Sequence, residues 1–169
     1  MFQIRCTGRV QKELGFKKQD LCTIKEGEAV LGEWYLHLFT VDHRKAFIFM
    51  NEKTLLSFVV YGIKQSNKHK IGDMFIVGLA QTLALAGFDS RATDKALIGC
   101  NTAELTNTHS RSLLCKLNSH IYDYKFRIMR EGSLKFCDLD GIIKSQNKMP
   151  QKNLKWASAI EAAQKLLNP

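Results

Sequence analysis

The 169-residue sequence lacks the features of a membrane-spanning or exported protein. Its longest apolar stretch, Met74–Phe88, is interrupted by glycine, glutamine and threonine. It therefore falls short of the ~20 apolar residues that a membrane-spanning helix needs. The opening residues, MFQIRCTGRV, contain no signal-peptide hydrophobic core. We expect a cytoplasmic protein with no membrane association.

The sequence also lacks the common signatures of metal, cofactor and catalytic sites. Its five cysteines are widely spaced and include no CxxC pair, and their odd number excludes a complete internal disulfide pattern. Glycine-rich nucleotide loops, HExxH and GxSxG are absent. Asp138 and Asp140 would lie on different sides of a helix. The sequence therefore predicts no metal and no cofactor, and it leaves open whether the protein is an enzyme.

Positive charge is abundant but unevenly distributed. Lys and Arg number 25 against 16 Asp and Glu, for a net charge of +9. Residues 1–110 carry a net +3 and residues 111–169 a net +6. This bias favours an anionic partner for the C-terminal third, with nucleic acid as the first candidate. A solvated, lysine-rich surface would explain the same composition.

The most informative segment is residues 31–63, in which three apolar runs are separated by two short polar turns. The first run, Trp34–Val41, is apolar on both of its alternating faces, as in a strand that is covered on both sides. Turns of four residues favour antiparallel neighbours. The segment predicts an antiparallel β-meander over about residues 33–61.

Two long amphipathic helices are predicted around this meander, at about residues 67–86 and 111–131. Both have apolar residues at three- and four-residue steps, and each is followed closely by a glycine suited to a helix C-terminus. Shorter helices complete the prediction. The sequence shows no linker or internal repeat, so we expect one α+β domain over residues 1–169.

Candidate site residues fall into several polar groups. His109 precedes Ser110, Arg111 and Ser112 at a predicted helix start, where backbone N–H groups and the guanidinium favour an anion and His109 is a candidate acid or base. A basic face further along that helix would suit a phosphate backbone, or it is simply the solvated side of the helix. The remaining candidates are polar residues of the turns, the helix and a late loop: Arg44, Lys45, Asn51, Thr54, Lys116, Asn118, Arg127, Arg130 and Asn147.

Four short elements give the chain a family resemblance. They are IRCT with KELG, LGEWYLHLFTVDHRKAFIFMNEKTLLSF, SRSLLCKLN and NKMPQKNLKW. In their order and spacing the chain resembles a bacterial family of roughly 160 residues that is classified only as a domain of unknown function. The resemblance covers nearly the whole sequence. It implies a shared shape and shared candidate residues, with no assigned activity.

Three functions are compatible with these features. The first is a binding module for nucleic acid or another polyanion, with Arg44, Lys45 and Arg111 as contacts. The second is an enzyme that acts on a nucleotide or phosphorylated substrate through His109 and Arg111. The third is an antitoxin- or inhibitor-like module with an acidic protein partner. The oligomeric state stays open, and convergence of the distant polar residues on one cleft would favour a ligand site.

Overall fold

A computed structural model describes residues 1–168. Its five strands form one sheet, and their bounds are β1 Phe2–Cys6, β2 Trp34–Val41, β3 Arg44–Asn51, β4 Ser57–Tyr61 and β5 Ala103–Asn107. The strand order across the sheet is β4-β3-β2-β1-β5.

The sheet contains the predicted meander and extends it. Strands β2, β3 and β4 are antiparallel neighbours, with Trp34 opposite Asn51 and Phe49 opposite Phe58. Strand β1 lies parallel to β2, and β5 lies parallel to β1. The α+β class is therefore confirmed, in a mixed sheet rather than a pure meander. Parallel neighbouring strands come from segments that are far apart in sequence, so no short turn in the sequence predicts their pairing.

Six α-helices surround the sheet. They are α1 Gly8–Leu14, α2 Ile71–Leu85, α3 Ser90–Leu97, α4 Arg111–Arg130, α5 Leu139–Lys148 and α6 Ala159–Leu167. The two long predicted helices correspond to α2 and α4. Helix α2 starts later than expected because residues Gln65–Lys70 form a 3-10 turn, in which Asn67 Oδ1 accepts a hydrogen bond from the Lys64 amide at 2.7 Å. Within residues 1–168, no helix combines the length and apolarity needed to cross a membrane.

An aromatic cluster packs α2 against one face of the sheet. The Phe75 ring centroid lies 4.7 Å from that of Phe2, 5.0 Å from Trp34, 5.4 Å from Phe49 and 5.9 Å from Phe58. All five side chains are buried. Burying each contributes about 1.5–3 kcal/mol before the entropy cost of ordering is counted. This cluster is the centre of the core.

The opposite face of the sheet is covered by α4 and carries more polar groups. The Tyr124 hydroxyl on α4 lies 2.9 Å from the Ser57 hydroxyl on β4. Strand β1, which lies between β2 and β5, is buried on both faces, so its alternating polar residues Gln3 and Arg5 are buried as well. Two buried polar side chains on an interior strand require partners.

The cysteines divide between core and surface. Cys6 and Cys100 are buried, and burial raises the pKa of Cys6 to about 12 and that of Cys100 to about 11. Cys22 and Cys115 are exposed. The two buried thiols are therefore protonated at neutral pH and pack as small apolar side chains.

Candidate functional site

The predicted binding residues do not converge on a single cleft. Arg44 begins β3 and Asn51 ends it, so an eight-residue strand separates them. At ~3.3 Å per residue, that distance is roughly 23 Å. Arg44 and Lys45 are exposed at the β2–β3 turn, where Lys45 Nζ lies 2.5 Å from Glu13 Oε1.

Asn51 and Thr54 are buried and organise the turn between β3 and β4. Asn51 Nδ2 donates to the Leu31 carbonyl at 2.9 Å and to the Glu33 carbonyl at 3.1 Å. Its Oδ1 accepts from the Thr54 amide and hydroxyl, both at 2.9 Å. These contacts give Asn51 and Thr54 a structural role, which explains why the turn has polar residues inside an apolar segment.

Asn147 is also buried, at the other side of the β4 edge. Its Oδ1 accepts from the Ser57 amide at 2.9 Å, and its Nδ2 donates to the Ser57 carbonyl at 2.7 Å. Both polar atoms of the Asn147 side chain are therefore engaged within the fold.

The basic face predicted on α4 is turned toward α5 rather than toward solvent. His120, within that face, is buried, and Lys116 and Arg127 are half-buried. Arg127 Nη2 lies 3.0 Å from the sulfur of Met149. Only Arg130 of this group is exposed. The sequence did not reveal that this basic face is covered, because a helical projection does not show which neighbouring helix packs against a given face.

The solvent-facing side of α4 is instead apolar at its centre and basic at its flanks. Tyr122 is 72% exposed, Phe126 60% and Met129 53%. With Cys115 and Ser119 they repeat at four- and three-residue steps and so lie on one face. The exposed residues Arg111, Asn118, Lys125 and Arg130 lie on or beside this face. We call the face defined by Cys115, Ser119, Tyr122, Phe126 and Met129 the outer face of α4.

The predicted helix start at Ser110 is confirmed. Ser110 Oγ accepts a hydrogen bond from the Leu113 amide at 3.3 Å, which caps α4. Arg111 and Ser112 are exposed. His109 turns away from them, toward β1. Its role as an acid or base therefore stays a prediction, and its neighbours are not the ones that the sequence indicated.

His109 joins a polar cluster built on β1 and β2. Arg5 Nη1 lies against the His109 ring, 3.0 Å from Nε2, and the Tyr35 hydroxyl lies 3.3 Å from Nδ1. Arg5 Nη2 is 3.7 Å from Glu52 Oε2. Arg5 and Tyr35 are adjacent because β1 and β2 pair in parallel with these residues in register. The cluster therefore depends on the strand pairing that the sequence did not reveal.

Tyr35 stays protonated in this setting. Burial, and next the negative charge of Glu52, raise the pKa of its hydroxyl above the ordinary value. The neutral hydroxyl keeps both donor and acceptor capacity toward the histidine ring. Because Arg5 can only donate, its contact with His109 needs an unprotonated ring nitrogen as acceptor.

A comparison with models of known protein families identifies the family of the chain. The model of one family, described as "Domain of unknown function (DUF6933)", matches residues 3–162. The protein belongs to this family. Its membership confirms the resemblance drawn from the sequence elements, and the DUF6933 domain covers nearly the whole chain. A search of curated proteins gives no match.

Sequence reasoning missed several residues of this DUF6933 protein. Arg5 lies within the IRCT element, which was the available signal, but no local pattern marks it as a buried or functional residue. Tyr122 and Phe126 lie opposite the buried stripe of α4, and this helical position was the available signal for them. Within the described residues 1–168, no group of three or more His, Cys, Asp or Glu side chains is placed to hold a metal ion.

Proposed function

We propose that the protein binds single-stranded nucleic acid along the outer face of α4. The observation that carries the proposal is the exposure of Tyr122 and Phe126, whose rings project from one face of a 20-residue helix. Exposed aromatic rings are stacking platforms for unpaired bases, whatever the sequence of the strand. Exposed aromatic groups on this scale are otherwise disfavoured, so they mark an interaction surface.

The charge of α4 supports a polyanionic partner. The helix contains five Lys and Arg side chains, and its only acidic residue is Asp123. Asp123 is half-buried, with Oδ2 3.5 Å from Nε2 of Gln146 on α5. Lys125 and Arg130 are exposed within a turn of Tyr122, Phe126 and Met129. Cationic side chains placed beside exposed rings fit a strand whose phosphates and bases alternate.

The aromatic rings favour single strands over a duplex. A duplex buries its bases in stacked pairs, so its surface offers phosphates and groove edges but few base faces. The lysine and arginine side chains could bind the phosphates of a duplex without any contribution from Tyr122 and Phe126. The outer face of α4 therefore has more apolar area than a duplex-binding surface would use.

A protein partner is the second candidate for the same face. The alternating four- and three-residue spacing of Cys115, Ser119, Tyr122, Phe126 and Met129 is the spacing of a helix–helix seam. An acidic partner helix, as in the antitoxin- or inhibitor-like hypothesis, would match the basic flanks. A stable complex with an acidic protein that Phe126→Ala disrupts, without any binding of oligonucleotides, would favour this second function.

The proposal is tested by titrating the full chain into fluorescein-labelled 20-nucleotide strands of mixed sequence. We expect binding of RNA or DNA single strands in about 50 mM salt, weaker binding of the matching duplex, and a steep loss of affinity as salt is raised. The charge reversal Lys125→Glu with Arg130→Glu should weaken binding and flatten the salt dependence. Absence of binding to any strand in about 50 mM salt would overturn the proposal.

A further inference from the structure

Arg5 is a buried cation whose hydrogen-bonding capacity is mostly unused. Its side chain is 5% exposed. A guanidinium has five N–H donors, but Arg5 Nη1 meets only the His109 ring, and Nη2 is 3.7 Å from Glu52, beyond hydrogen-bonding distance. Within residues 1–168, Arg5 Nε has no hydrogen-bond partner. Buried charged groups are almost always paired and hydrogen-bonded, so this arrangement is suited to an additional acceptor.

A cleft lies beside the Arg5 side chain. Its volume is about 400 Å³, which is within the range of small-molecule sites. One wall is the segment of residues 24–27, and the other is formed by the β3–β4 turn and His109. The charged and titratable side chains that line it are Arg5, Lys25, Glu26, Glu33, Glu52, Lys53 and His109.

The carboxylates of Glu33 and Glu52, both in the cleft lining, differ in their partners. Glu33 Oε2 accepts from the Gln3 amide at 2.5 Å, and Glu33 Oε1 accepts from the Gly27 amide at 2.6 Å. Glu33 therefore holds the wall of the cleft to β1. Glu52 Oε2 is buried and, in the part of the chain that the structure describes, makes no hydrogen bond. The guanidinium N–H groups of Arg5 that lack an acceptor thus lie close to Glu52 Oε2, which lacks a hydrogen-bond donor.

We propose that this cleft binds a small carboxylic acid that carries an amino or hydroxyl group next to its carboxylate. The ligand carboxylate would take the free N–H groups of Arg5, the geometry in which arginine binds carboxylates best. The neighbouring amino or hydroxyl group would donate to Glu52. The ligand would thus satisfy both unused groups at once.

The charge of the lining selects this ligand class over a phosphate. Three cationic side chains, Arg5, Lys25 and Lys53, are balanced by the three carboxylates of Glu26, Glu33 and Glu52. A dianionic phosphate would be repelled by these carboxylates. A zwitterionic amino acid, or a hydroxy acid with a single negative charge, matches a lining that presents both signs.

His109 is the residue that the ligand carboxylate would displace from Arg5. Its ring is exposed and occupies Arg5 Nη1, with Tyr35 as the second contact. It lies in the short connection between β5 and α4. A ligand carboxylate that replaces the imidazole nitrogen as acceptor would release the ring. Removal of the ring should therefore leave ligand binding intact or strengthen it.

The proposal is tested on the full chain by thermal unfolding with added probes at about 10 mM. Glycine, L-serine and glycolate have both groups, whereas acetate has only the carboxylate and ethanolamine only the donors. We expect the first three to raise Tm by about 3–6 °C, as for a Kd near 1 mM, with a smaller rise for acetate and none for ethanolamine. No rise with any acid, or the largest rise with inorganic phosphate, would overturn the proposed class.

Two substitutions separate the site from general stability. Glu52→Gln keeps the side-chain volume but removes the negative charge, so the preference for glycine over acetate should be lost. Glu28→Gln is the matched control, since Glu28 is exposed and does not line the cleft; it should keep the preference. If Glu52→Gln still prefers glycine as wild type does, the assignment of Glu52 fails. Arg5→Lys should abolish the response to acetate as well, and an unchanged response would refute the role of Arg5.

Discussion

The side-chain amide of Asn147 pairs with both backbone polar groups of Ser57 at the edge of the sheet. Its Oδ1 lies 2.9 Å from the Ser57 amide nitrogen and its Nδ2 lies 2.7 Å from the Ser57 carbonyl oxygen. Strand β4 is the last strand on that side of the sheet. The amide of Asn147 thus acts as a short substitute for a neighbouring strand, which protects an otherwise open edge.

We predict that Asn147→Ala lowers the free energy of unfolding by about 1–3 kcal/mol. The substitution leaves the buried Ser57 amide without a partner, at a cost of about 1–3 kcal/mol, and leaves the Ser57 carbonyl only the Tyr124 hydroxyl at 3.3 Å. Urea denaturation measures the change. Asn118→Ala is the control, because Asn118 is exposed on α4, and it should change stability by less than ~0.5 kcal/mol. Equal effects of the two substitutions would contradict the structural role of Asn147.

Two glycines of helix α2 should respond in opposite directions to alanine. A Cβ at Gly78 would lie 2.4 Å from Cε2 of Phe58, whereas a Cβ at Gly72 meets its nearest neighbour at an ordinary 3.5 Å. We expect Gly78→Ala to destabilise the protein by about 1–3 kcal/mol, since the aromatic cluster must shift. Gly72→Ala should stabilise it by up to ~1 kcal/mol through helix propensity.

Thermal unfolding of the two variants side by side measures this difference. Both substitutions replace glycine by alanine in the same helix, so both change helix propensity in the same direction. The contact with Phe58 is made at position 78 alone and therefore accounts for the difference in stability between the two variants. A Gly78→Ala protein as stable as the Gly72→Ala protein would contradict the packing of α2 on β4.

The local structure was largely predictable from the sequence, and the site was not. The alternating pattern of Trp34–Val41 and the cap at Ser110 depend on neighbours along the chain, and both predictions were confirmed. The position of β1 between β2 and β5 depends on contacts between distant segments. Arg5, Tyr35 and His109 meet only because of that placement, so no local pattern could bring them together.

The roles of the polar turn residues illustrate the same limit. Asn51 and Thr54 stand out in the sequence because polar residues interrupt an apolar segment, and this signal is shared by ligand-binding and turn-forming residues. Only the hydrogen bonds to Leu31, Glu33 and the turn itself show that Asn51 supports the fold. Conversely, Tyr122 and Phe126 lie opposite the buried stripe of α4 and are exposed.

Acid should destabilise the protein partly through His37. Burial, followed by the positive charge of Arg9, lowers the pKa of His37 from 6.5 to about 4, and its Nδ1 lies 2.6 Å from the Thr7 hydroxyl. As pH falls, the unfolded chain takes up a proton at His37 before the folded chain does. The contribution of His37 is therefore fully present above pH ~6.5 and is lost progressively between pH ~6.5 and ~4.

The expected result is a decline in the urea midpoint across that pH window that becomes shallower in His37→Gln. The exposed His69 provides the control, and His69→Gln should keep the wild-type decline. Buried His120, whose pKa is also lowered chiefly by burial, sustains part of the decline in both variants. Identical pH profiles for wild type and His37→Gln would contradict the burial of a neutral imidazole at this position.

The most direct test of the proposed function is the affinity of a labelled 20-nucleotide single strand for the double variant Tyr122→Ala, Phe126→Ala. Loss of two stacking contacts of about 1 kcal/mol or more each predicts a Kd raised about 30-fold or more. Trp156→Ala removes an equally exposed aromatic ring, 67% exposed and outside α4, and should leave the Kd unchanged. A double variant that binds the strand as tightly as Trp156→Ala does would contradict nucleic-acid binding through the outer face of α4.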